Sequence, residues 1–165
     1  RQLAWLFCKG VITWETMHVQ AGDYYSQRRQ WVKAGLEYRA LIQATPISHS
    51  PYIYLGDALM RQQRFDAALE TFRQSLEIQE SAYAYKMMGR IYMMREDVAV
   101  AKVYFEKAVE TAPDDIDAQF QLTEAYAMTG DFKKANLGIQ RVLGMNGNHP
   151  GAKRLLEYVE QQFTR

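Results

Sequence analysis

Between Ser50 and Ile78 the apolar positions fall into two runs. Tyr52, Leu55 and Leu59 recur at steps of three and four residues, and Phe65, Ala68, Leu69, Phe72 and Leu76 do so further on. Such steps put each set on one face of an amphipathic helix. The pattern predicts helices over about 50–62 and 65–78, joined by the short polar turn RQQR.

The same pattern returns along the chain. Gly22, Gly56 and Gly89 are separated by 34 and 33 residues. Ala34, Ala68, Ala101 and Ala135 keep that phase, as do Tyr38, Phe72, Phe105 and Ile139, and Trp31, Phe65, Val98 and Phe132. A shared one-residue slip lies between Phe72 and Gly89, so the loop near Glu80 is one residue short and is expected to alter the twist there. Self-similarity at this period marks a stacked array, in which each hairpin leaves an apolar face for its neighbour to cover. Gly56 and Ala68 are expected to face each other where two antiparallel helices cross. Phe72 would fill the space one turn later, against the next hairpin. Pro46 and Pro113 stop the second helices of two repeats. The stretch TGD, Thr129 to Asp131, supplies a glycine stop and a capping aspartate.

The spacing of Tyr52, Leu55, Gly56, Leu59, Ala68, Phe72 and Ser75 resembles the tetratricopeptide repeat (TPR). The following repeat has Tyr85, Met88, Gly89, Tyr92, Ala101, Phe105, Ala108 and Pro113. The preceding one has Gly22, Tyr25, Ala34, Tyr38, Leu41 and Pro46, with His18 at the usual aromatic position. The fourth diverges, with Thr123 in place of the glycine. The resemblance implies an all-α, right-handed superhelical solenoid of antiparallel helix hairpins. Its repeats would span 15–48, 49–81, 82–115 and 116–149. Residues 150–165 would form a capping helix with Leu155, Leu156, Val159 and Phe163 on one side, and residues 1–14 an apolar helix or linker.

Composition narrows the function. The chain has 165 residues, 48% apolar and 24% charged, which suits a soluble globular domain and leaves the compartment open. A net charge of +1 supplies no strong field for nucleic acid. Cys8 is alone, and His18, His49 and His149 fall in different repeats without a second ligand at metal spacing. His18 reads as a packed histidine. No phosphate-loop, nucleophile-elbow or zinc-protease motif is present, so neither catalysis nor a cofactor is expected. Asp114, Asp115 and Asp117 read as acids at a helix start, and SQRRQW, Ser26 to Trp31, as a solvated basic turn. The most hydrophobic stretch, Leu3 to Trp14, carries Lys9 and is too short to cross a bilayer. It reads as a helix packed on the body, with a docking surface or anchor remnant as the alternative. The start at Arg1 suggests a piece of a longer protein.

The family resemblance implies that the first helix of each hairpin lines a concave groove. The candidate peptide-binding residues are Ile53, Tyr54, Asp57, Met60, Tyr83, Lys86, Met87, Arg90, Met94, Phe120 and Glu124. Methionine and aromatic side chains there suit adaptable peptide binding. Lys86 and Arg90 would hold a partner's carboxylate or, in the plainer reading, pair with neighbouring acids such as Asp57 and Glu124. The Lys, Asn, Asn, Lys, Arg clamp of chaperone-binding relatives is missing: neither Val19, Asp23, Tyr54, Tyr83 and Met87 nor Ile53, Asp57, Met87, Asp117 and Gln121 supplies it. The expected role is a scaffold for a protein or peptide partner. The alternatives are the repeat region of a larger enzyme, such as a hydrolase, and a homo-oligomeric self-assembly module.

Overall fold

Helical periodicity translates directly into structure. The computed structural model describes residues 2–163, which form ten helices and no strand. They are α1 (Gln2–Cys8), α2 (Trp14–Gln27), α3 (Trp31–Ala44), α4 (Ser50–Arg61), α5 (Phe65–Ile78), α6 (Ala82–Met94), α7 (Val98–Thr111), α8 (Ile116–Met128), α9 (Phe132–Met145) and α10 (Pro150–Phe163). The chain divides into two compact bodies between Glu80 and Ser81, at the shortened loop. In the first body α2 packs on α3, α3 on α4 and α4 on α5. In the second α6 packs on α7, α7 on α8, α8 on α9 and α9 on α10.

The first three hairpins close on a contact between glycine and an aromatic ring. A Cβ added at Gly56 would lie 2.5 Å from Cε1 of Phe72, and one at Gly89 would lie 2.5 Å from Cε1 of Phe105. A Cβ at Gly22 would collide with the Tyr38 ring. The atoms nearest Gly56 belong to Phe72, so this ring packs within its own hairpin. The reason is side-chain direction. A long helical side chain leans back over the preceding turn, so the ring at 72 covers the patch that sequence spacing assigns to position 68. Phe72 and Ala68 are both fully buried. The fourth hairpin reverses the arrangement. Thr123 sits where the glycine would be, and the space is left by Gly138 on the other helix, whose Cβ would strike Thr123 Oγ1.

The turns inside the hairpins also repeat. Arg29, Gln63, Glu96 and Gly130 all have positive φ, at 56°, 60°, 62° and 77°. In each case the next N–H reaches back to a carbonyl of the closing turn: Gln30 to Tyr25, Arg64 to Leu59, Asp97 to Tyr92 and Asp131 to Tyr126, at 2.9–3.0 Å. This is a Schellman-type stop that favours glycine at its left-handed residue. Glycine occupies it in the fourth hairpin alone, so Arg29, Gln63 and Glu96 carry the strain of a side chain there. Asp97 and Asp131 then cap α7 and α9 by accepting from Val100 N and Lys134 N, each at 3.2 Å.

The two ends differ. Val159 of α10 is fully buried with Ala135, Ile139 and Ala127, and Leu155 and Leu156 pack around them, so this helix closes the last hairpin. The side chain of Phe163, expected on the same stripe, lies outside the described residues. At the other end α1 is only seven residues long. Leu3 and Leu6 are half-buried, but Trp5 is 59% exposed and Val11 63%. The N-terminal stretch therefore packs one edge and leaves an apolar face in solvent.

Gly56→Ala should destabilise the chain by about 1–3 kcal/mol, the cost of overpacking a filled core. Combining it with Phe72→Leu should recover part of that loss, giving a non-additive double-mutant cycle in urea unfolding. Gln63→Gly, in contrast, should stabilise by roughly 0.5–1 kcal/mol, because relieved left-handed strain outweighs the added chain entropy.

Candidate functional site

The acidic start of α8 organises the second body. Asp115 is the N-cap residue: its Oδ1 accepts from Ala118 N at 3.0 Å. Its other oxygen accepts from Lys86 Nζ at 2.7 Å. Lys86 lies on α6, its side chain is 11% exposed, and it also reaches Asp117 Oδ2 at 3.1 Å. The second oxygen of Asp117 accepts from Gln121 Nε2, one turn along α8, at 3.1 Å. Burial pulls the Lys86 ammonium's pKa down, but the hydrogen bonds to Asp115 and Asp117 outweigh it and hold it above its ordinary value. Burial pushes the Asp115 carboxyl up. Its bonds to Lys86 and Ala118 outweigh that and hold it below its ordinary range.

Beside this relay lies a cavity of about 210 Å³ lined by Arg90, Met93, Met94, Phe105, Gln121 and Glu124. Arg90 is on α6 and Glu124 on α8, and no ion pair joins them. Burial, and then the nearby Asp117 charge, raises the Glu124 carboxyl above its ordinary value, with Arg154 opposing. The amide of Gln121 can take one orientation only. A carboxylate accepts but does not donate, so the NH₂ end must face Asp117. The carbonyl end, Oε1, is buried and has no hydrogen-bond partner.

The candidate residues separate by body and by exposure. Ile53, Tyr54, Asp57 and Met60 lie on α4 of the first body. There Tyr54 is exposed and packs beside Tyr38, ring centroids 5.3 Å apart. Met60 is buried, and Ile53 and Asp57 are half-buried. The other seven lie in the second body. Tyr83 is 42% exposed and Met94 55%, whereas Met87 is 3% exposed and part of the core. Helix α4, which carries Met60, packs against both α3 and α5, so its buried stripe is wider than one face predicts. Phe120 rests under the start of α10: it lies 4.6 Å from the His149 ring, and a Cβ at Gly151 would come within 2.5 Å of its Cζ. Lys86 is held by two aspartates inside the fold, which corrects its expected role of holding a partner's carboxylate. His18 on α2 is bonded to Glu37 at 2.6 Å and packs against Trp14 with the rings tilted at 51°. Gln121 is the residue the candidate set lacks. Its signal was its place one turn after Asp117, on the side of α8 that carries Glu124.

The described residues contain no group of three or more His, Cys, Asp or Glu able to hold a metal ion, and none of their helices is long and apolar enough to cross a membrane.

The geometry is that of a stacked-hairpin interaction fold, and comparison with known proteins agrees. Tetratricopeptide-repeat family models match residues 50–81 and 92–157, together more than half of the chain. The chain belongs to the tetratricopeptide repeat family. It is similar to the 131 kDa subunit of transcription factor tau of Saccharomyces cerevisiae, with 29% identity over 82 residues, 48% of this chain and 8% of that protein. It is 31% identical over 78 residues to the uncharacterized protein ycf37 of Pyropia yezoensis, 47% of this chain and 44% of that one. BBSome complex member BBS4 of Bos taurus is 29% identical over 84 residues, 51% of this chain and 15% of that protein. The chain thus spans less than half the length of each of these relatives. Among solved structures, MamA superposes with a TM-score of 0.78 at 19% identity, covering 89% of this chain and 81% of MamA. YrrB, a TPR protein with an unusual peptide-binding site, gives 0.70 at 19% identity, covering 87% and 77%. These two share the fold.

The raised Glu124 pKa has a direction for stability. The fold disfavours the ionised form, so the stability present below the ordinary value of 4.5 is lost as pH rises through the higher folded value. Glu124→Gln should therefore raise the melting temperature at neutral pH and leave it nearly unchanged in acid below the ordinary carboxylate range, as thermal unfolding at the two pH values will show.

Proposed function

We propose that this chain is a non-enzymatic protein-interaction scaffold. In this reading the α6–α8 wall of the second body holds an extended peptide segment of a partner. The observation that carries it is the cavity between Arg90 and Glu124, walled by Met93 and Met94. Exposed Tyr83 on α6 extends the same wall. Unbranched methionines adapt to varied side chains, and tyrosine adds a broad contact at low entropic cost. Arg90, rather than Lys86, is the cation that meets the ligand, because Lys86 is neutralised within the fold.

Tagged wild-type chain and a Tyr83→Ala/Arg90→Glu variant should be compared by co-purification from native lysate, with circular dichroism as the folding control. The expected result is a partner retained by the wild type and bound at least about tenfold more weakly by the variant, the loss typical of removing a central aromatic or arginine contact. Equal capture by both would place the interaction elsewhere and end this reading.

A further inference from the structure

The first body carries a cleft of about 900 Å³ between α1 and the α2–α3 hairpin. That volume lies at the upper end of the range for sites that enclose a whole ligand. One part of the lining is apolar: Leu3 of α1, and Met17 and Ala21 of α2. Another part is cationic: Arg28, which ends α2, and Lys33 of α3. Arg28 belongs to the basic turn between Ser26 and Trp31.

The two cations are held in place but not neutralised. The guanidinium of Arg28 lies over the Tyr24 ring, 4.0 Å from its centroid, and Lys33 Nζ lies 5.5 Å from the centroid of Tyr25. Neither cation forms an ion pair among the described residues. Glu37 is the only acid among the described lining residues, and its Oε2 accepts from His18 Nδ1 at 2.6 Å. Contact with a ring uses the charge of the cation and leaves N–H donors for a carboxylate. Arg28 and Lys33 are both exposed, so a ligand meets them from solvent.

Four occupants can be compared. A basic segment would oppose both cations. A wholly apolar segment would cover Leu3 and Met17 and leave Arg28 and Lys33 without a counter-charge. A membrane surface offers anionic headgroups but is flat on this scale, whereas these cations line a concavity. An extended segment with aspartate or glutamate beside an apolar residue meets both parts of the lining.

We propose that this cleft binds an acidic peptide segment of a partner protein. Its carboxylates pair with Arg28 and Lys33, and an apolar neighbour lies against Leu3 and Met17. The site is separate from the α6–α8 wall and does not depend on it.

The test is a display selection of random linear heptapeptides on the full chain, run in parallel on Arg28→Glu/Lys33→Glu and on Tyr83→Ala/Arg90→Glu. All four substituted positions lie outside the buried core, and circular dichroism checks the folding of both variants. The expected result is a class of peptides rich in aspartate or glutamate that Tyr83→Ala/Arg90→Glu retains. A synthetic peptide of that class should bind Arg28→Glu/Lys33→Glu at least about tenfold more weakly than wild type, the loss typical of removing charge-assisted hydrogen bonds. Its binding to wild type should weaken as salt is raised. Acidic peptides that bind Arg28→Glu/Lys33→Glu as well as wild type, or that need Tyr83 and Arg90 instead, would overturn the acidic-segment site; the second outcome would leave the α6–α8 reading intact. So would the absence of any acidic class. Co-sedimentation with phosphatidylserine–phosphatidylcholine vesicles that is lost in Arg28→Glu/Lys33→Glu, with no acidic peptide selected, would overturn it and assign the two cations to a membrane surface.

Discussion

Everything in this fold hangs on the close approach of two helix backbones in each hairpin, set by a glycine against an aromatic ring in three of them and by a glycine against Thr123 in the fourth. Gly22 meets Tyr38, Gly56 meets Phe72 and Gly89 meets Phe105. Phe72 and Phe105 are buried to the last few per cent. Interiors are packed as densely as organic crystals, so even one methyl group at the glycine has nowhere to go. Where the fourth hairpin gives up its glycine for Thr123, the vacancy moves to Gly138 on the opposite helix, and the contact persists with the partners exchanged. The constraint is on distance between the helices rather than on any one residue.

With the hairpins closed, the remaining polar chemistry follows from where helix starts fall. Asp115 is needed at the head of α8 because the first backbone N–H groups lack intrahelical partners. Once there, its free oxygen is available to Lys86 across the α6–α8 interface, and Lys86 in turn fixes Asp117 and Gln121. A capping residue thus becomes the first member of a relay that ends at a cavity. Such a partly buried network is a weak source of stability, but it fixes the direction in which its carboxylates and amide face.

Periodicity, not propensity, made the architecture legible. Helices α4 and α5 are bounded almost where the apolar steps start and stop, and the short loop that the 33-residue step requires is where the chain divides into its two bodies. The left-handed turn residue was harder to see, because glycine marks it only at Gly130, while Arg29, Gln63 and Glu96 hold the same conformation without the usual signal. The groove was partly legible. Tyr54, Tyr83 and Met94 are exposed on their helices, but Met60 and Met87 are core; α4, which carries Met60, packs on both α3 and α5 and so buries more than one stripe.

The sequence alone determined the helices, their pairing into hairpins and the family, because those depend on spacings of three, four and about 34 residues that are written in the chain. It also put Lys86 and Glu124 among the candidate groove residues and read Asp115 and Asp117 as acids at a helix start. Only the tertiary structure decided that Lys86 is consumed by Asp115 and Asp117, that Phe120 is covered by the start of α10, and that the buried Gln121 oxygen has no hydrogen-bond partner. Those outcomes turn on differences of an ångström or two between side chains far apart in the sequence. A hydrogen bond is made or lost within that range, whereas a hydrophobic period tolerates it.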